Sequence, residues 1–301
     1  MPVQNQKIDL ALLREKGVEL QIKREDTLHP LISGNKYRKL KYNLIQARIQ
    51  GKDSLLSFGG AYSNHIAALA CAGKEAGLKT IGVIRGEELK DRWRENPTLA
   101  LAHAQGMRFH FVSREAYRQK ASAAFLKGLG ERFGNFLLLP EGGSNALGVK
   151  GCEEILGAGD AHFDRICCAV GTGATLAGLI NTIGPRQRVL GFPALKGDFL
   201  DRDIRTFAQN DRWELVPGFQ FGGYAKVDRE LVAFINRFKK ETGIPLDPVY
   251  TGKMLFGIFV LVEQGILPWG SRILAIHTGG LQGIKGMNEI LKKKNLPLLD
   301  L

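Results

Sequence analysis

The sequence predicts an α/β protein with twisted parallel sheets and helices on both sheet faces. Short apolar stretches alternate with longer amphipathic ones along the chain, and glycine-rich loops recur where the apolar stretches end. The 301 residues are also enough to bury a large core. Alternating strands and helices are typical of parallel sheets, in which ligands bind at the carboxyl ends of the strands.

The first half of the chain supplies five predicted strands and five predicted helices. Residues 18–24 alternate apolar and polar side chains, and residues 64–76 are rich in alanine, which favours a helix. The predicted strands are 18–24, 54–58, 80–85, 108–112 and 136–140. The predicted helices are 36–50, 64–76, 97–105, 116–133 and 149–158, and Asn35 is the predicted N-cap of the first.

The second half continues the alternation of strands and helices. The predicted strands are 163–170, 188–193 and 273–277. The predicted helices are 175–183, 231–241, 254–264 and 286–293. Residues 196–215 show no clear periodicity and receive no assignment. Loops 59–65, 141–145, 171–175 and 278–280 each follow a strand, so we expect them to converge on one crevice.

Composition favours a cytoplasmic enzyme. No apolar run reaches the roughly 18 residues that cross a bilayer, and residues 1–7 lack the apolar core of a signal peptide. The four cysteines form no pair at the C-x-x-C spacing of metal sites, which predicts buried thiols and no bound metal. They are Cys71, Cys152, Cys167 and Cys168.

The chain is strongly basic, with a net charge of +12 and an isoelectric point near 9.6. Lysines and arginines are spread along the sequence, and the densest run, 292–294, lies at a predicted helix end. No recognition motif accompanies the charge. We therefore expect no nucleic-acid partner and no membrane partner.

Lys36 is the candidate reactive residue. It follows Gly34 and Asn35 at the start of a predicted helix, close to Arg38 and Lys39. Neighbouring cations and a helix N-terminus lower the pKa of an amine, and a neutral amine can form an imine with an aldehyde. Lys39 lies one helical turn further on, on the same side, where it could reach a phosphate.

The loop Gly171-Thr172-Gly173-Ala174-Thr175 has the composition of a phosphate-binding turn. It connects a strand to a helix, so its backbone N–H groups and threonine hydroxyls can face an anion. It is neither a P-loop nor a dinucleotide fingerprint, because the required lysine and third glycine are missing. A tight turn without a ligand is the alternative. A reactive amine and a phosphate-binding turn together predict pyridoxal 5'-phosphate as the cofactor.

Two further segments carry polar side chains. Tyr62, Ser63, Asn64 and His65 follow a strand, and backbone amides there can bind a substrate carboxylate. The alternative is that Asn64 caps a helix and His65 is a core residue. Residues 247–253 place the hydroxyl groups of a tyrosine and a threonine after a proline turn, a weak signal alone.

These segments together resemble the pyridoxal-phosphate enzymes of the tryptophan synthase β-like fold (fold type II). Within that fold they look like D-cysteine desulfhydrase and 1-aminocyclopropane-1-carboxylate deaminase. The matching segments span most of the chain in family order: 22–26, 34–40, 59–60, 63–65, 142–145, 170–173, 247–253 and 277–280. The resemblance implies two domains, a large one from residues 1–47 and 149–301 and a small inserted one from residues 48–148. It also implies a homodimer and a small amino acid as substrate.

The resemblance also implies residue roles. Lys36 binds the cofactor covalently, and Asn64 contacts the phenolic oxygen of its ring. Thr251 lies near the pyridine nitrogen. The phosphate is held by Lys39 and the 171–175 loop: Gly171, Thr172, Gly173, Ala174 and Thr175. The substrate is bound or acted on by Tyr62, Ser63, Asn64, His65, Tyr224 and Tyr250, with Lys36, Ser63 and the two last tyrosines as the catalytic set.

Four positions bear on the reaction. Thr251 and His65 stand where the deaminase pattern has glutamate and glutamine, so they favour the desulfhydrase. Tyr62 replaces a usual glutamine, and Ala174 replaces a common glycine. The first hypothesis is α,β-elimination on D-cysteine. The alternative is ring-opening deamination of 1-aminocyclopropane-1-carboxylate, and a third possibility is a non-catalytic protein that binds pyridoxal phosphate.

Overall fold

A computed structural model describes residues 3–197 and 199–300. Its strands in this part of the chain are β1 (Asn5–Ile8), β2 (Glu19–Lys23), β3 (Ser54–Gly59), β4 (Lys79–Arg85), β5 (Arg108–Val112), β6 (Phe136–Leu138), β7 (Arg165–Val170), β8 (Arg188–Pro193), β9 (Trp213–Leu215) and β10 (Arg272–Ile276). They form two separate sheets, one of six strands and one of four.

The α-helices connect these strands. They are α1 (Ala11–Glu15), α2 (Asn35–Ile49), α3 (Asn64–Ala76), α4 (Pro97–Ala104), α5 (Arg114–Arg118), α6 (Ala123–Phe133), α7 (Ala146–Cys152), α8 (Ala174–Thr182), α9 (Phe199–Arg205), α10 (Arg229–Thr242), α11 (Thr251–Glu263) and α12 (Gly283–Lys293). Among the residues described, no helix combines the length and the apolar character needed to cross a membrane.

The larger sheet has the order β1-β2-β10-β7-β8-β9. Its first pair is antiparallel and the other pairs are parallel. Cys167 and Cys168 are neighbours on β7, so their side chains point to opposite faces of the sheet. Both are buried, which shows that both faces of this sheet are covered. Cys167 packs with Phe192 and Leu255 on one face, and Cys168 packs with Leu176 on the other. All four cysteines are buried and free, as predicted.

The smaller sheet has the order β5-β4-β3-β6, and all its pairs are parallel. Leu55 packs in a core cluster with residues of α2 and α3, and Leu56 packs in another with Leu129 of α6. The predicted parallel α/β class is therefore confirmed for both sheets. The strands of the smaller sheet all lie within residues 54–138, and the domain boundaries at 48 and 148 remain predictions.

Some predicted elements differ from the structure. The predicted helix 116–133 is interrupted: α5 ends at Arg118, and Ser122 caps the start of α6 by accepting a hydrogen bond from Phe125 N. The helix predicted at 149–158 begins earlier and ends at Cys152. The short elements β1, α1, α9 and β9 were not predicted, because three to seven residues are too few to show a period.

Candidate active site

A cavity of about 670 Å³ lies where loops from both sheets meet. Loops that follow β3, β6, β7 and β10 all contribute to it, as expected for the carboxyl ends of parallel strands. All but two of the predicted site residues line this cavity: Lys36, Lys39, Tyr62, Ser63, Asn64, His65, Gly171, Thr172, Gly173, Thr175, Tyr224 and Tyr250. Ala174 and Thr251 are the exceptions, and both are buried behind the wall.

The turn before α2 sets the position of Lys36. Gly34 has a left-handed φ of 64°, and a Cβ atom there would lie 2.0 Å from the Thr278 carbonyl oxygen. Only glycine allows this approach. The Lys36 amine faces the cavity and donates to Asn35 Oδ1 at 2.9 Å. Burial, helped by the charge of Lys39, lowers the pKa of Lys36 to about 7. A large fraction of this amine is therefore neutral and nucleophilic near pH 7.

Lys39 and the 171–175 loop form an anion-binding wall. Lys39 Nζ donates to the Gly142 carbonyl oxygen at 3.1 Å and lies 3.5 Å from Thr172 Oγ1, which Ser144 Oγ also contacts. Gly173 is the N-cap of α8 and has a φ of 83°, and no side chain among the described residues caps this helix. The first N–H groups of α8 are thus available to an anion, and the helix dipole favours one there.

Asn35 does not cap α2, so its predicted role is wrong. The N-cap position is Gly34, one residue earlier. The Asn35 side chain instead donates from Nδ2 to Thr175 Oγ1 at 2.8 Å, while its oxygen accepts from Lys36. Asn35 therefore joins the reactive lysine to the anion-binding wall. No local sequence signal distinguishes this use of an asparagine from a helix cap.

The turn after β3 forms the opposite wall. Ser63, and not Asn64, is the N-cap of α3, where its Oγ accepts from Ile66 N at 3.3 Å. The Asn64 side chain is held by Gln282, whose Nε2 donates to Asn64 Oδ1 at 2.8 Å. A Ser63 hydroxyl that only accepts from the helix keeps its own proton free for a ligand in the cavity.

His65 is buried and neutral. Ser57 Oγ donates to the Leu139 carbonyl oxygen at 2.9 Å, so it accepts from His65 Nε2 at 2.8 Å. Burial, with the nearby charges of Lys36 and Lys39, holds the pKa of His65 well below its usual value. Its Nδ1 is therefore an acceptor, and it has no hydrogen-bond partner among residues 3–197 and 199–300.

Three tyrosines line the cavity: Tyr62, Tyr224 and Tyr250. Tyr250 precedes α11, and its ring centroid lies 6.3 Å from that of Tyr224. Burial and a hydrogen bond with Tyr224 raise the pKa of Tyr250 well above its usual value, and burial raises that of Tyr224. Both phenols are therefore protonated near neutral pH. Tyr62 is 43% exposed, and its ring packs against Gly286.

Asp247 organises the start of α11. Its Oδ1 accepts from Thr251 N at 2.8 Å and from Thr251 Oγ1 at 2.7 Å, and its Oδ2 accepts from Val249 N and Tyr250 N, both at 2.9 Å. Asp247 also lines the cavity. Sequence reasoning missed it as a site residue, although an aspartate just before a helix is a known cap signal.

The rim carries charged residues that the sequence analysis did not single out, although it expected the loop of Glu141, residues 141–145, at this crevice. Arg85 ends β4 and lines the cavity, and Arg114 lines it while paired with Glu88 at 2.8 Å. Glu141 also lines it and lies 3.3 Å from the Lys120 amine. These residues come from loops of the smaller sheet and its helices, and their relation to the site depends on how the two sheets face each other.

The chain belongs to a family of pyridoxal-phosphate-dependent enzymes. The family model described as "Pyridoxal-phosphate dependent enzyme" matches residues 6–279. Within that family the predicted branch, that of 1-aminocyclopropane-1-carboxylate deaminase and D-cysteine desulfhydrase, is confirmed. Pyridoxal phosphate is therefore the cofactor, and the chain is a pyridoxal-phosphate-dependent lyase.

Individual relatives cover most of the chain. It is 33% identical to "Putative 1-aminocyclopropane-1-carboxylate deaminase" of Pyrococcus horikoshii, over 90% of this chain and 87% of that protein. It is 32% identical to "Bifunctional D-cysteine desulfhydrase/1-aminocyclopropane-1-carboxylate deaminase, mitochondrial" of Arabidopsis thaliana, over 89% and 74%. A crystal structure of an "ACC deaminase homologue" matches with a TM-score of 0.84 and 31% identity, over 97% and 94%.

The residues present are suited to this cofactor. A phosphorylated aldehyde needs an amine that is neutral near pH 7 and a separate site for the phosphate. Lys36 supplies the amine, with a pKa of about 7. The uncapped start of α8, together with Lys39, supplies the anion site on the same cavity.

Proposed function

We propose that this chain deaminates a small α-amino acid to a 2-oxo acid and ammonia, with 1-aminocyclopropane-1-carboxylate as the first substrate. The observation that carries the proposal is the Lys36 amine, which faces the same cavity as the 171–175 loop and the 59–65 turn. The relatives named above support this substrate, since each of their names includes the deaminase. They favour it over D-cysteine, the first hypothesis from the sequence.

Residues around the cavity contact different parts of the cofactor in the proposed complex. Lys36 binds the aldehyde carbon, and Asn64, held by Gln282, contacts the phenolic oxygen. Thr251 lies near the pyridine nitrogen but behind the cavity wall, and its hydroxyl donates to Asp247 Oδ1. The phosphate is held by Lys39, Gly171, Thr172, Gly173, Ala174 and Thr175. When bound, pyridoxal phosphate withdraws electrons from the substrate Cα, and this is the chemistry that it supplies.

The proposed substrate contacts lie on the other wall. The backbone N–H groups of the first residues of α3, together with the Ser63 hydroxyl, bind the carboxylate, because the start of a helix favours an anion. His65 and Tyr62 border this position, with His65 neutral. Tyr250 donates a hydrogen bond to the Tyr224 oxygen, and Tyr224 donates its own hydrogen bond to the reacting part of the substrate, since both phenols are protonated near neutral pH.

Proton transfer differs between the two candidate substrates. The Cα of 1-aminocyclopropane-1-carboxylate carries no hydrogen, so the reaction begins by breaking a bond between Cα and a ring methylene. Either a nucleophile attacks a ring methylene carbon, or a base removes a proton from a ring methylene. We assign this step to Lys36, Ser63 or the tyrosine pair, which are the acid–base and nucleophilic groups at the cavity. In D-cysteine the Lys36 amine or Ser63 removes the Cα proton.

D-cysteine remains the second candidate because of Thr251. A hydroxyl that is bonded to Asp247 does not protonate the pyridine nitrogen as a glutamic acid would, and this leaves a weaker electron sink. Elimination of a good leaving group requires less electron withdrawal than opening an unactivated ring. In that reaction D-cysteine and water give pyruvate, ammonia and hydrogen sulfide.

A substrate panel decides between these candidates. The holoenzyme is incubated with each amino acid, and 2-oxobutyrate, pyruvate and sulfide are measured separately. We expect 2-oxobutyrate from 1-aminocyclopropane-1-carboxylate. Sulfide with pyruvate from D-cysteine alone would support the second candidate, and a cofactor spectrum with no product from any substrate would support the non-catalytic binding protein. The homodimer and the cytoplasmic location remain predictions, which sedimentation and cell fractionation test.

A further inference from the structure

Lys253 is a buried lysine that the proposed mechanism does not use. Its side chain, on α11, is 2% exposed, and its Nζ donates to the carbonyl oxygens of Gln220 at 2.8 Å and Gly223 at 2.9 Å. No carboxylate within the described residues forms an ion pair with it. A buried amine needs compensating partners, and here both are backbone carbonyls of one loop.

The loop that Lys253 binds has an uncommon backbone. Phe221 has a φ of 51° and Ala225 a φ of 54°, and Gly222 and Gly223 between them are also left-handed. Residues with side chains rarely adopt this conformation, and it persists where surrounding contacts hold it. The two carbonyl groups bonded to Lys253 flank Phe221 and Gly222, in the middle of this segment.

The same loop carries Tyr224 into the cavity. Tyr224 directly follows Gly223, and its ring packs at the edge of Tyr250. Tyr250 lies one helical turn before Lys253, at the start of the same helix. Lys253 therefore fastens the Tyr224 loop to α11, the helix that Tyr250 directly precedes.

We propose that Lys253 is a positioning residue for the Tyr224–Tyr250 pair. By holding Gln220 and Gly223 it fixes the distance between the two phenols, and so fixes the Tyr224 hydroxyl that donates to the substrate. The inference rests on the proposed function, because it assumes that the Tyr224 hydroxyl contacts the substrate. Lys253 itself touches neither substrate nor cofactor.

The first test removes the donors and keeps the shape. Lys253→Met retains the length of the side chain but donates nothing, and we expect kcat to fall about 10–100-fold, as for a misplaced catalytic group. The KM and the visible cofactor spectrum should change little. Lys253→Arg restores donors and should recover part of the loss. Lower thermal stability with unchanged kcat would mean a purely structural role and would overturn the proposal.

A double-mutant cycle tests whether Lys253 acts through Tyr224. If it does, Lys253→Met should have less than about a twofold effect on kcat in a Tyr224→Phe background, because coupled residues are not additive. Full additivity of the two losses would overturn the proposal.

Hydrogen exchange separates the failure of this inference from failure of the proposed function. Exchange at residues 220–225 is measured on the holoenzyme without substrate, and we expect it to be faster in Lys253→Met. Unchanged exchange overturns the anchoring role, whatever the kinetics. Faster exchange together with wild-type turnover in Tyr224→Phe overturns the role of Tyr224 in the reaction, and with it the functional half of the inference.

Discussion

Two regions of the cavity differ in how firmly their side chains are held. The cofactor wall comprises the Lys36 turn, Lys39 and Thr175, and the substrate rim comprises Tyr62 and Tyr224. On the cofactor wall, Lys39 and Thr175 are buried and bonded, and the Lys36 turn is locked against the backbone at Thr278. On the substrate rim, Tyr62 and Tyr224 are each more than 40% exposed. From this difference we expect cofactor binding to be fixed by the fold and substrate choice to depend on a few side chains that can change without disturbing the fold.

The largest effect is expected at Lys36. Lys36→Ala removes the amine that binds the cofactor, and turnover should fall by at least about 10³-fold, since both the covalent and the proton-transfer roles are lost. The visible spectrum should lose the absorbance of covalently bound cofactor. Lys41→Ala is the matched control, because Lys41 is on the same helix and pairs with Glu154 at the surface. An unchanged spectrum in Lys36→Ala would contradict the assignment.

The second prediction tests the rigidity of the Lys36 turn. Gly34 and Gly51 flank α2 and have similar φ angles, 64° and 60°, but a Cβ at Gly51 would meet nothing within 4 Å. Gly51→Ala should lower the free energy of unfolding by about 1 kcal/mol, the cost of left-handed backbone. Gly34→Ala adds a clash with the backbone at Thr278 and should cost at least about 3 kcal/mol.

Urea unfolding of both variants measures this difference. Gly34→Ala should also weaken cofactor binding, because relief of the clash displaces Lys36. Equal losses of unfolding free energy in the two variants would show that the backbone around Gly34 moves to relieve the clash. The contrast between a rigid cofactor wall and the substrate rim would then be wrong.

Lys39 tests the anion-binding wall. Lys39→Met should weaken pyridoxal phosphate binding about 10–100-fold, the usual range for a charge-assisted hydrogen bond. Lys41→Met is again the surface control. Fluorescence titration of the apoenzyme measures both affinities, and an affinity in Lys39→Met equal to that of the control would remove Lys39 from the phosphate site.

The same variant has a predicted pH effect. In the wild type the Lys36 amine is neutral above its pKa of about 7, so the rate of covalent cofactor attachment should rise through that pH and then level. The charge of Lys39 is one cause of the lowered pKa. Its removal should raise the pKa of Lys36 and move the midpoint of the rate profile to higher pH. A midpoint that stays in place would show that burial alone sets the pKa.

The cofactor wall was largely predictable from the sequence because its signals are local. The 171–175 loop has a strand end, a glycine turn and a helix start within a few residues. The segment from Gly34 to Lys39 has a glycine turn and a helix start, and the structure brings both segments to one cavity. Asn35 was assigned to the wrong bond because an asparagine at a helix start is usually a cap. Its actual partner, Thr175, is 140 residues away.

The rim was less predictable because it is assembled from distant segments. Tyr224 was found only through the family resemblance, since the loop around it has no periodicity and contains left-handed residues with side chains. Arg85 and Arg114 gave no signal, because their place at the cavity depends on how the smaller sheet faces the larger one. Local patterns predict strands, helices and turns, but not which rim residues meet.

The smallest effect is expected at Tyr62, and it tests the rim directly. Tyr62→Gln restores the residue usual in the family and should change KM by up to about tenfold, because few contacts hold this ring. The cofactor spectrum and the pH midpoint should not change. Trp269→Gln is the control, since Trp269 is an exposed ring that covers Gly17 as Tyr62 covers Gly286, but outside the cavity. If Tyr62→Gln alters the ratio of kcat/KM for 1-aminocyclopropane-1-carboxylate and D-cysteine while Trp269→Gln does not, the rim selects the substrate. A loss of cofactor binding in Tyr62→Gln would instead show that the substrate rim and the cofactor wall are coupled.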